Sequence, residues 1–292
     1  MRMFESVEPP LELDSCKTCG VIWFDPHEFQ HLPESAIEPV ETVTLRGIEA
    51  EAAWRLEREK AKSEPGGITD TAPDELWKVI PGFFGLPVET KCSGLKAQPW
   101  ITWGLCLTVA AISIAAFFNL TTVINQFGFI PERPWRWGGL TFLSSFFLHA
   151  DAWHLIGNLY FLLIFGDNVE DSIGPRRYLL LLLASTLAGD ILHFMSGASP
   201  DVPCVGASGG ISGIIVFYAL QFPKAQLGFM FRYLILFRWV HMPAWFALVL
   251  WMGLQTLYVG LQFHGISNVA ATAHLGGALA GFLLWLLWRR NA

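Results

Sequence analysis

The chain has 292 residues, a formal net charge of −6 and 53% hydrophobic residues. Acidic residues outnumber basic ones, so the composition excludes a basic nucleic-acid-binding surface, and we expect no nucleic acid partner. The charge is uneven, because residues 1–98 carry 18 acidic and 10 basic residues, whereas residues 99–292 carry 7 acidic and 9 basic residues. Five cysteines with a single C-x-x-C pair argue against a disulfide framework. We therefore expect an acidic N-terminal region followed by an apolar body.

The first element is a cysteine pair within residues 1–35. SCKTCGVIWFDPHEFQHL resembles the second half of a small zinc ribbon, with Cys16 and Cys19 as two ligands. A structural zinc needs four ligands, and no earlier C-x-x-C pair is present. His27 and His31 are one alternative for the missing two. The others are a half-ribbon without zinc or a first half encoded upstream. We expect no cofactor, with zinc at the two cysteines as the open alternative.

Residues 36–98 form the second stretch of the N-terminal region. RGIEAEAAWRLEREKAKSEP predicts a solvated cytoplasmic helix, and PGGITDTAP predicts a linker. DELWKVIPGFFGLPVE is an amphipathic approach to the membrane that would place Trp77, Phe83 and Phe84 at the lipid interface. Nothing in this stretch indicates which partner it binds.

Six apolar segments make up residues 99–292. A bilayer core of about 30 Å needs about 20 apolar residues in a helix. The segments cover approximately residues 101–120, 153–165, 178–195, 207–222, 244–262 and 269–288, the second being extended outward by FLSSFFLH. This pattern predicts an all-α membrane protein with six transmembrane helices in the lipid bilayer.

Basic residues predict the orientation of these helices. With a cytoplasmic N-terminus, nine flanking lysines and arginines would face the cytoplasm, and only Arg133 and Arg136 would face outward. The positive-inside rule therefore predicts that both termini are cytoplasmic. We expect a multi-pass membrane protein with this orientation.

The fourth segment opens with VGASGGISG, which contains G-x-S-x-G around Ser208. A soluble hydrolase would need a strand before this motif, and none is readable here. The apolar part ends at Pro223 and is too short to cross the whole bilayer. The preceding loop must therefore dip into the membrane beside a water-filled cavity, with Ser208 at its floor.

Polar side chains in the outer halves of two other segments indicate a functional site, with a proton relay or a pore residue as the alternatives for a single histidine. His154 and Asn158 are four residues apart and share one helix face. His274 lies about one turn into the sixth segment. Ionisable groups inside membrane helices are costly and indicate function by default. We expect His193 and His264 to lie at the interface without a role.

Glycine stripes offer a way to bring Ser208 and His274 together. The stripes are Gly277 with Gly281 on the sixth segment and Gly209 with Gly213 on the fourth. Small residues let two helix backbones approach closely, and a serine near a histidine can form a nucleophile and its base. A glycine stripe alone more often serves packing, so this interpretation depends on all four polar residues occurring together.

Four motifs in chain order resemble the rhomboid family of intramembrane serine proteases, over about residues 99–290. PWRW resembles the Trp-Arg motif of the family's first outer loop. LTFLSSFFLHADAWHLIGNLYFLLIFGDNVEDSIG resembles the stretch from that loop through the second helix. VGASGGISG and AHLGGALAG are similar to its GxSG and AHxxGxxxG motifs. The resemblance implies the six-helix form that is common in bacteria, with a small cytoplasmic N-terminal region, and we therefore expect the protein in a bacterial inner membrane.

The resemblance also implies a role for each matching residue. Ser208 would be the nucleophile and His274 its base, in a dyad without an acidic third member. Asn158, His154 and the backbone N–H of Ser208 would bind the oxyanion. His149 would line the water-bearing cavity.

Other matching positions would support the site. The residues implied in shaping and supporting the cavity are Gly206, Gly209, Gly277 and Gly281. Arg136 and Glu170 would pin the outer loop and its neighbouring turns. The fifth helix and the following LQFHGISNVA would act as a lateral gate or cap for substrate.

The resulting hypothesis is a serine endopeptidase that cleaves transmembrane segments of membrane proteins. One alternative is a catalytically silent rhomboid-like protein that binds membrane clients, although such proteins usually lack the serine or the histidine. A six-helix transporter is the third possibility, but it predicts internal repeats, and none is visible.

Overall fold

The computed structural model describes residues 2–4, 11–15, 22–23, 68–69, 76–91, 95–233 and 236–289. The chain divides into two compact units, residues 1–55 and 56–292. In the first unit, β1 (Arg2–Phe4), β2 (Leu11–Ser15) and β3 (Ile22–Trp23) form an antiparallel sheet in that order. Cys16, Cys19, His27, His31 and the predicted helix of residues 46–65 lie outside the described residues, so the expectations for them stay predictions.

Helices make up most of the described part of the second unit. They are α1 (Leu76–Phe83), α2 (Trp100–Phe117), α3 (Leu120–Phe127), α4 (Thr141–Ser144), α5 (Ala152–Ile173), α6 (Pro175–Ser196), α7 (Ser208–Gln221), α8 (Ala244–Phe263) and α9 (Ala271–Trp288). Among the described residues, α2, α6, α8 and α9 are long and apolar enough to cross a membrane, and α7 is a shorter apolar helix. The chain is therefore a predominantly helical membrane protein.

The predicted apolar segments correspond to α2 and α5–α9, with one difference. FLSSFFLH does not continue the second long helix outward. It forms the short α4 and a 3-10 turn, Ser145–Phe147, before the backbone becomes extended at Leu148. Asp151 then caps α5, because its side chain accepts a hydrogen bond from the His154 backbone N–H at 2.8 Å.

Contacts between helix termini define two ends of the bundle. At the inner end, Glu170 near the end of α5 accepts hydrogen bonds from backbone N–H groups at the start of α2. At the outer end, the side chains of His193 near the end of α6 and Thr272 near the start of α9 lie 2.8 Å apart. The long helices consequently alternate in direction, and α7 and α9 both start at the outer end.

Glycines set the spacing of α7 and α9, as the two stripes predicted. A Cβ atom added to Gly277 would overlap the carbonyl oxygen of Gly209, and one added to Gly281 would overlap that of Gly213. Gly276 faces the backbone of α6 at Ala188 equally closely. The three helices can approach this closely only because no side chain lies between their backbones.

A four-stranded antiparallel sheet was not predicted. Its order is β4 (Ile68–Thr69), β7 (Leu236–Pro243), β6 (Gln226–Tyr233) and β5 (Val88–Lys91). The hairpin β6–β7 lies between α7 and α8 in sequence. The two outer strands come from the stretch that we assigned to the N-terminal region, so this stretch pairs with the body of the protein.

Residues 84–89 run along α5 before they reach the sheet. The contacts are, in order, the ring of Phe84 with that of Trp153 (centroids 6.3 Å apart), the carbonyl of Pro87 with the hydroxyl of Tyr160 (2.6 Å), and the carboxylate of Glu89 with the amide of Asn168 (3.1 Å). From Trp153 to Asn168 the helix rises by about 22 Å. This segment therefore follows α5 over two thirds of its length.

Candidate active site

Ser208 is the first residue of α7 and lies below the outer end of the bundle. An added Cβ at Gly189 would be 3.5 Å from the Cα of Gly209, so Ser208 is near the level of Gly189 on α6. That helix continues to Ser196, seven residues further, which corresponds to about 10 Å at 1.5 Å per residue. The loop before α7 must descend by this distance. We predicted this descent because the fourth apolar segment is too short to cross the bilayer.

The structure brings Ser208 and His274 into hydrogen-bonding contact. The Ser208 Oγ and the His274 Nε2 are 2.8 Å apart, although the residues are 66 positions apart in sequence. His274 is the fourth residue of α9, so both groups lie near helix N-termini at the outer end. The close approach of α7 and α9 at their glycines makes this distance possible.

The second ring nitrogen of His274 also has a partner. Its Nδ1 is 2.8 Å from the Oε1 of Gln255 on α8. Gln255 is buried, with 8% of its surface exposed. Our sequence analysis missed this residue. The available signal was a polar side chain inside an otherwise apolar membrane segment.

Gly206 shapes the loop beside the serine. Its φ of +123° belongs to backbone conformations that favour glycine. A Cβ at this position would lie 2.8 Å from the His154 Nε2 and 3.7 Å from the Ser208 Oγ. Glycine is therefore required both by the backbone and by the close approach of the His154 ring.

His154 and Asn158 occupy the same face of α5, and both line the cavity that contains Ser208. The His154 Nδ1 is 3.5 Å from the Ala150 backbone N–H, a long contact that favours placing the ring hydrogen on Nε2. Asn158 donates from Nδ2 to the His154 carbonyl at 2.8 Å, and its buried Oδ1 has no hydrogen-bond partner among the described residues. Asn158 thus retains unused hydrogen-bonding capacity.

The cavity around these groups has a volume of about 760 Å³, and α5–α9 and the loops before α7 and α9 contribute to its wall. This volume lies in the range of ligand-binding sites. Asp190 of α6 also lines it, and its buried Oδ2 has no hydrogen-bond partner in the described part of the chain. Our sequence analysis did not single out Asp190, although an acidic residue within an apolar helix was a visible signal.

His149 lies elsewhere than predicted. It is fully buried and is not among the residues that line the cavity. Its Nδ1 is 2.9 Å from the Ser113 Oγ, its Nε2 is 3.5 Å from the Ala207 backbone nitrogen, and its ring packs edge-on against His154. His149 therefore packs against His154 and the loop before Ser208 on the side away from the cavity.

Arg136 and Glu170 act at opposite ends of the bundle. Arg136 donates to the carbonyls of Asn125 and Gly128, both at 2.5 Å, and so ties together the outer loop as predicted. Glu170 does not contact that loop. Its carboxylate accepts hydrogen bonds from the Ile101 and Thr102 backbone N–H groups and from the Thr102 hydroxyl. The reason is distance, because Glu170 lies 16 residues beyond His154, or about 24 Å along the helix.

The prediction that His193 lies at the interface without a role was wrong. His264, for which we made the same prediction, is exposed. His193 is only 2% exposed and lies within hydrogen-bonding distance of Thr272 on α9 and Gln262 on α8. It joins α6, α8 and α9 at the outer end. Within the described ranges, no group of three or more His, Cys, Asp or Glu residues is placed to hold a metal ion.

Comparisons with known proteins place the chain in one family. Residues 131–291 match the family model described as Rhomboid domain. The chain is 27% identical over 228 residues to RHOMBOID-like protein 12, mitochondrial, of Arabidopsis thaliana, covering 68% of this chain and 65% of the relative. It is 31% identical over 194 residues to Rhomboid-like protein 11, chloroplastic, of the same plant, covering 66% of each.

A bacterial relative is also similar. The chain is 27% identical over 140 residues to Rhomboid protease GluP of Bacillus subtilis, covering 48% of this chain and 24% of the relative. The chain thus spans about two thirds of the length of the two plant proteins and about a quarter of the bacterial one.

Proposed function

This chain belongs to the rhomboid family, and from that premise we propose that it is an intramembrane serine endopeptidase with Ser208 and His274 as its catalytic dyad. The observation that carries the proposal is the 2.8 Å contact between the Ser208 Oγ and the His274 Nε2. A nucleophile and base at this distance, facing a cavity among membrane helices, form the arrangement needed for acyl transfer.

In the first step, the Ser208 Oγ attacks the carbonyl carbon of a peptide bond in the substrate. The His274 Nε2 accepts the hydroxyl proton as the new C–O bond forms. The carbonyl oxygen becomes negatively charged, and this charge must be stabilised in a largely apolar site.

Three donors are available for that charge. The Ser208 backbone N–H lies at the start of α7, where no side chain caps the helix and the first N–H groups lack intrahelical acceptors. The helix dipole at this end also favours an anion. Asn158 and the His154 Nε2 face the same cavity, so we assign them as the side-chain donors of the oxyanion site.

In the next step, His274 returns the proton to the leaving amine, and the C–N bond breaks. Water then enters the cavity, and His274 removes a proton from it as the water oxygen attacks the acyl carbon. The bond between that carbon and the Ser208 Oγ breaks, His274 returns the proton to the Oγ, and the second product leaves with both groups regenerated. Asp190 gives the cavity a further polar group beside the apolar Trp153 and Trp251.

The substrate would be a transmembrane protein that enters from the lipid bilayer. Of the 20 residues of α8, only Ala244, Gln255 and Gln262 are buried. The loop of residues 264–270 contributes Asn268, Val269 and Ala270 to the cavity wall. A helix with so little buried surface, followed by a covering loop, fits the gate and cap that the resemblance implies.

The protein is an integral membrane protein, and we propose that both termini face the cytoplasm, following the distribution of basic residues. The bacterial inner membrane stays a prediction, because the relatives come from mitochondria, chloroplasts and a bacterium.

Reaction with a fluorophosphonate probe tests the proposal directly. Purified full-length protein should become labelled at Ser208, and Ser208→Ala should remain unlabelled. The labelled protein should also lose cleavage of a model transmembrane substrate. A folded protein that neither reacts at Ser208 nor cleaves such a substrate would instead support the silent, client-binding alternative.

A further inference from the structure

The polar face of α8 suggests a role that the dyad alone does not supply. Gln255 and Gln262 are seven residues apart and lie on one face of the helix. They are 8% and 4% exposed, respectively. Burying an amide inside an apolar environment is unfavourable unless it is hydrogen-bonded, so the partners of each glutamine indicate what it does.

The two glutamines have different partners. Gln262 contacts His193 and Thr272, which join helices at the outer end and do not touch Ser208. Gln255 contacts the Nδ1 of His274, on the opposite side of the ring from the serine. Only Gln255 therefore acts on a group of the proposed dyad.

The atoms in this contact determine which ring nitrogen carries the hydrogen. The Oε1 of Gln255 is an acceptor only, so the Nδ1 of His274 must donate. In a neutral imidazole the Nε2 then has a free lone pair, and this nitrogen faces the Ser208 Oγ at 2.8 Å. The opposite tautomer would place a hydrogen on Nε2 and prevent it from accepting the serine proton.

We propose that Gln255 is a positioning residue that holds His274 in its base-competent tautomer and ring orientation. This inference rests on the proposed function and adds a third member to the dyad. Soluble serine proteases use a buried aspartate for this task. An amide oxygen provides the same acceptor without placing a negative charge among membrane helices, where a carboxylate is costly.

The kinetic test compares three variants of the full-length protein in lipid or detergent. Gln255→Leu removes the acceptor, and we expect kcat to fall about 10-fold or more, with KM within about twofold of wild type. Labelling of Ser208 by a fluorophosphonate should slow by a similar factor. Gln255→Glu keeps an oxygen that can accept, whether or not it is ionised, and should restore kcat to within about threefold of wild type.

Gln262→Leu is the matched control. It removes a buried amide from the same face of the same helix but no contact of His274, so it should lower thermal stability, leave His274 protonated on Nδ1, and lower kcat and the labelling rate far less than Gln255→Leu does. If both leucine variants lose activity alike, or if Gln255→Leu keeps wild-type kcat, the positioning role is wrong. The same conclusion follows if Gln255→Glu is as slow as Gln255→Leu.

A spectroscopic measurement tests the proposal even if Gln255→Leu does not fold. In wild-type protein labelled with ¹⁵N-histidine, the His274 resonances are identified by their loss in His274→Ala. We expect a protonated Nδ1 and an unprotonated Nε2. A predominantly Nε2-protonated ring would overturn the inference. Failure of the proposed function looks different, because wild-type protein would then neither label at Ser208 nor cleave substrate.

Discussion

Two buried carboxylates at the inner end of the bundle and two buried side chains that line the cavity around Ser208 differ in how their oxygens are hydrogen-bonded. At the inner end, Glu170 accepts three hydrogen bonds, and Glu89 accepts from both Tyr218 and Asn168. At the outer end, Asn158 and Asp190 each keep a buried oxygen without a partner among the described residues. Both oxygens belong to residues that line the cavity around Ser208.

The difference indicates which polar groups stabilise the fold and which are available for chemistry. A buried group whose partners are all within the chain contributes to stability, and its loss leaves unpaired neighbours. A buried polar group beside a cavity that lacks a hydrogen-bond partner lowers the stability of the fold unless water or substrate supplies that partner. We therefore expect substitutions at the outer site to lower turnover and substitutions at the inner end to lower stability.

Removal of the nucleophile should have the largest effect. Ser208→Ala should lower cleavage of a model transmembrane substrate by at least about 10³-fold, because the serine and its base act as one unit. His274→Ala should be equally inactive, and the double variant should be no worse. Thermal unfolding should change little, since only one oxygen is lost in Ser208→Ala. Cleavage by Ser208→Ala at the wild-type rate would refute the assignment.

Asn158→Ala should follow, with a loss of at least about 10-fold in kcat and an upper range of about 10²–10³. The loss can stay near the lower bound because His154 and the Ser208 backbone N–H still donate. KM should remain within about twofold, because the oxyanion exists only along the reaction path. Steady-state kinetics on folded protein measure both. A rise in KM alone, or a loss explained by unfolding, would contradict the oxyanion role.

The helix contact that positions the dyad should be sensitive at one glycine and tolerant at another. Gly277→Ala would overlap the Gly209 carbonyl oxygen, so α7 and α9 must separate. We expect a destabilisation of about 1–3 kcal/mol and, from a misplacement on the order of 1 Å, a fall in kcat of up to about 10²-fold.

Gly209→Ala is the control for this helix contact. Its new Cβ would meet nothing closer than the Ala273 carbonyl oxygen at 3.7 Å, an ordinary contact. Stability should change by no more than about 0.5 kcal/mol, with activity retained. Thermal unfolding and kcat should be measured for both variants. Equal behaviour of the two would show that the spacing of the glycines does not limit catalysis.

The smallest effect on turnover is expected at the inner end. Glu170→Ala leaves three donors at the start of α2 without an acceptor and should destabilise the fold by about 2–4 kcal/mol. Asp171→Ala is the control, since its hydrogen bonds to the Lys96 and Ala97 backbones are exposed, and it should cost about 1 kcal/mol or less. Once active sites are counted by fluorophosphonate labelling, kcat should be unchanged for both. A specific loss of kcat in Glu170→Ala would show that the inner end participates in turnover.

Much of the outer site was accessible from sequence because short-range rules determine it. Hydropathy located the long helices, since each must be apolar over most of a bilayer. The glycine stripes predicted that α7 and α9 pack closely, and this packing places Ser208 against His274. Helix spacing also placed His154 and Asn158 on one face.

The remaining features depend on tertiary contacts that no local pattern encodes. Gln255 was visible as a polar residue in α8, but its contact with His274 follows only from how α8 packs on α9. The hairpin β6–β7 does not alternate strictly between apolar and polar side chains, since Phe229, Met230 and Phe231 are consecutive, so no strand pattern separates it from the apolar segments on either side. The position of Glu170 could have been deduced, because Glu170 and His154 are too far apart on one helix to lie at the same end of the bundle.

The path of residues 84–89 along α5 has a practical consequence for protein production. A chain begun at residue 99, where the apolar segments start, would remove β5 and with it the carboxylate that accepts from Tyr218 and Asn168. It would also remove the aromatic neighbour of Trp153, which lines the cavity around Ser208. A recombinant fragment that keeps these contacts begins ahead of Phe84, and one that also keeps the four-stranded sheet begins ahead of β4. Crystallisation or inhibitor screening on a fragment that begins at residue 99 would examine helices that lack the segment packed along α5.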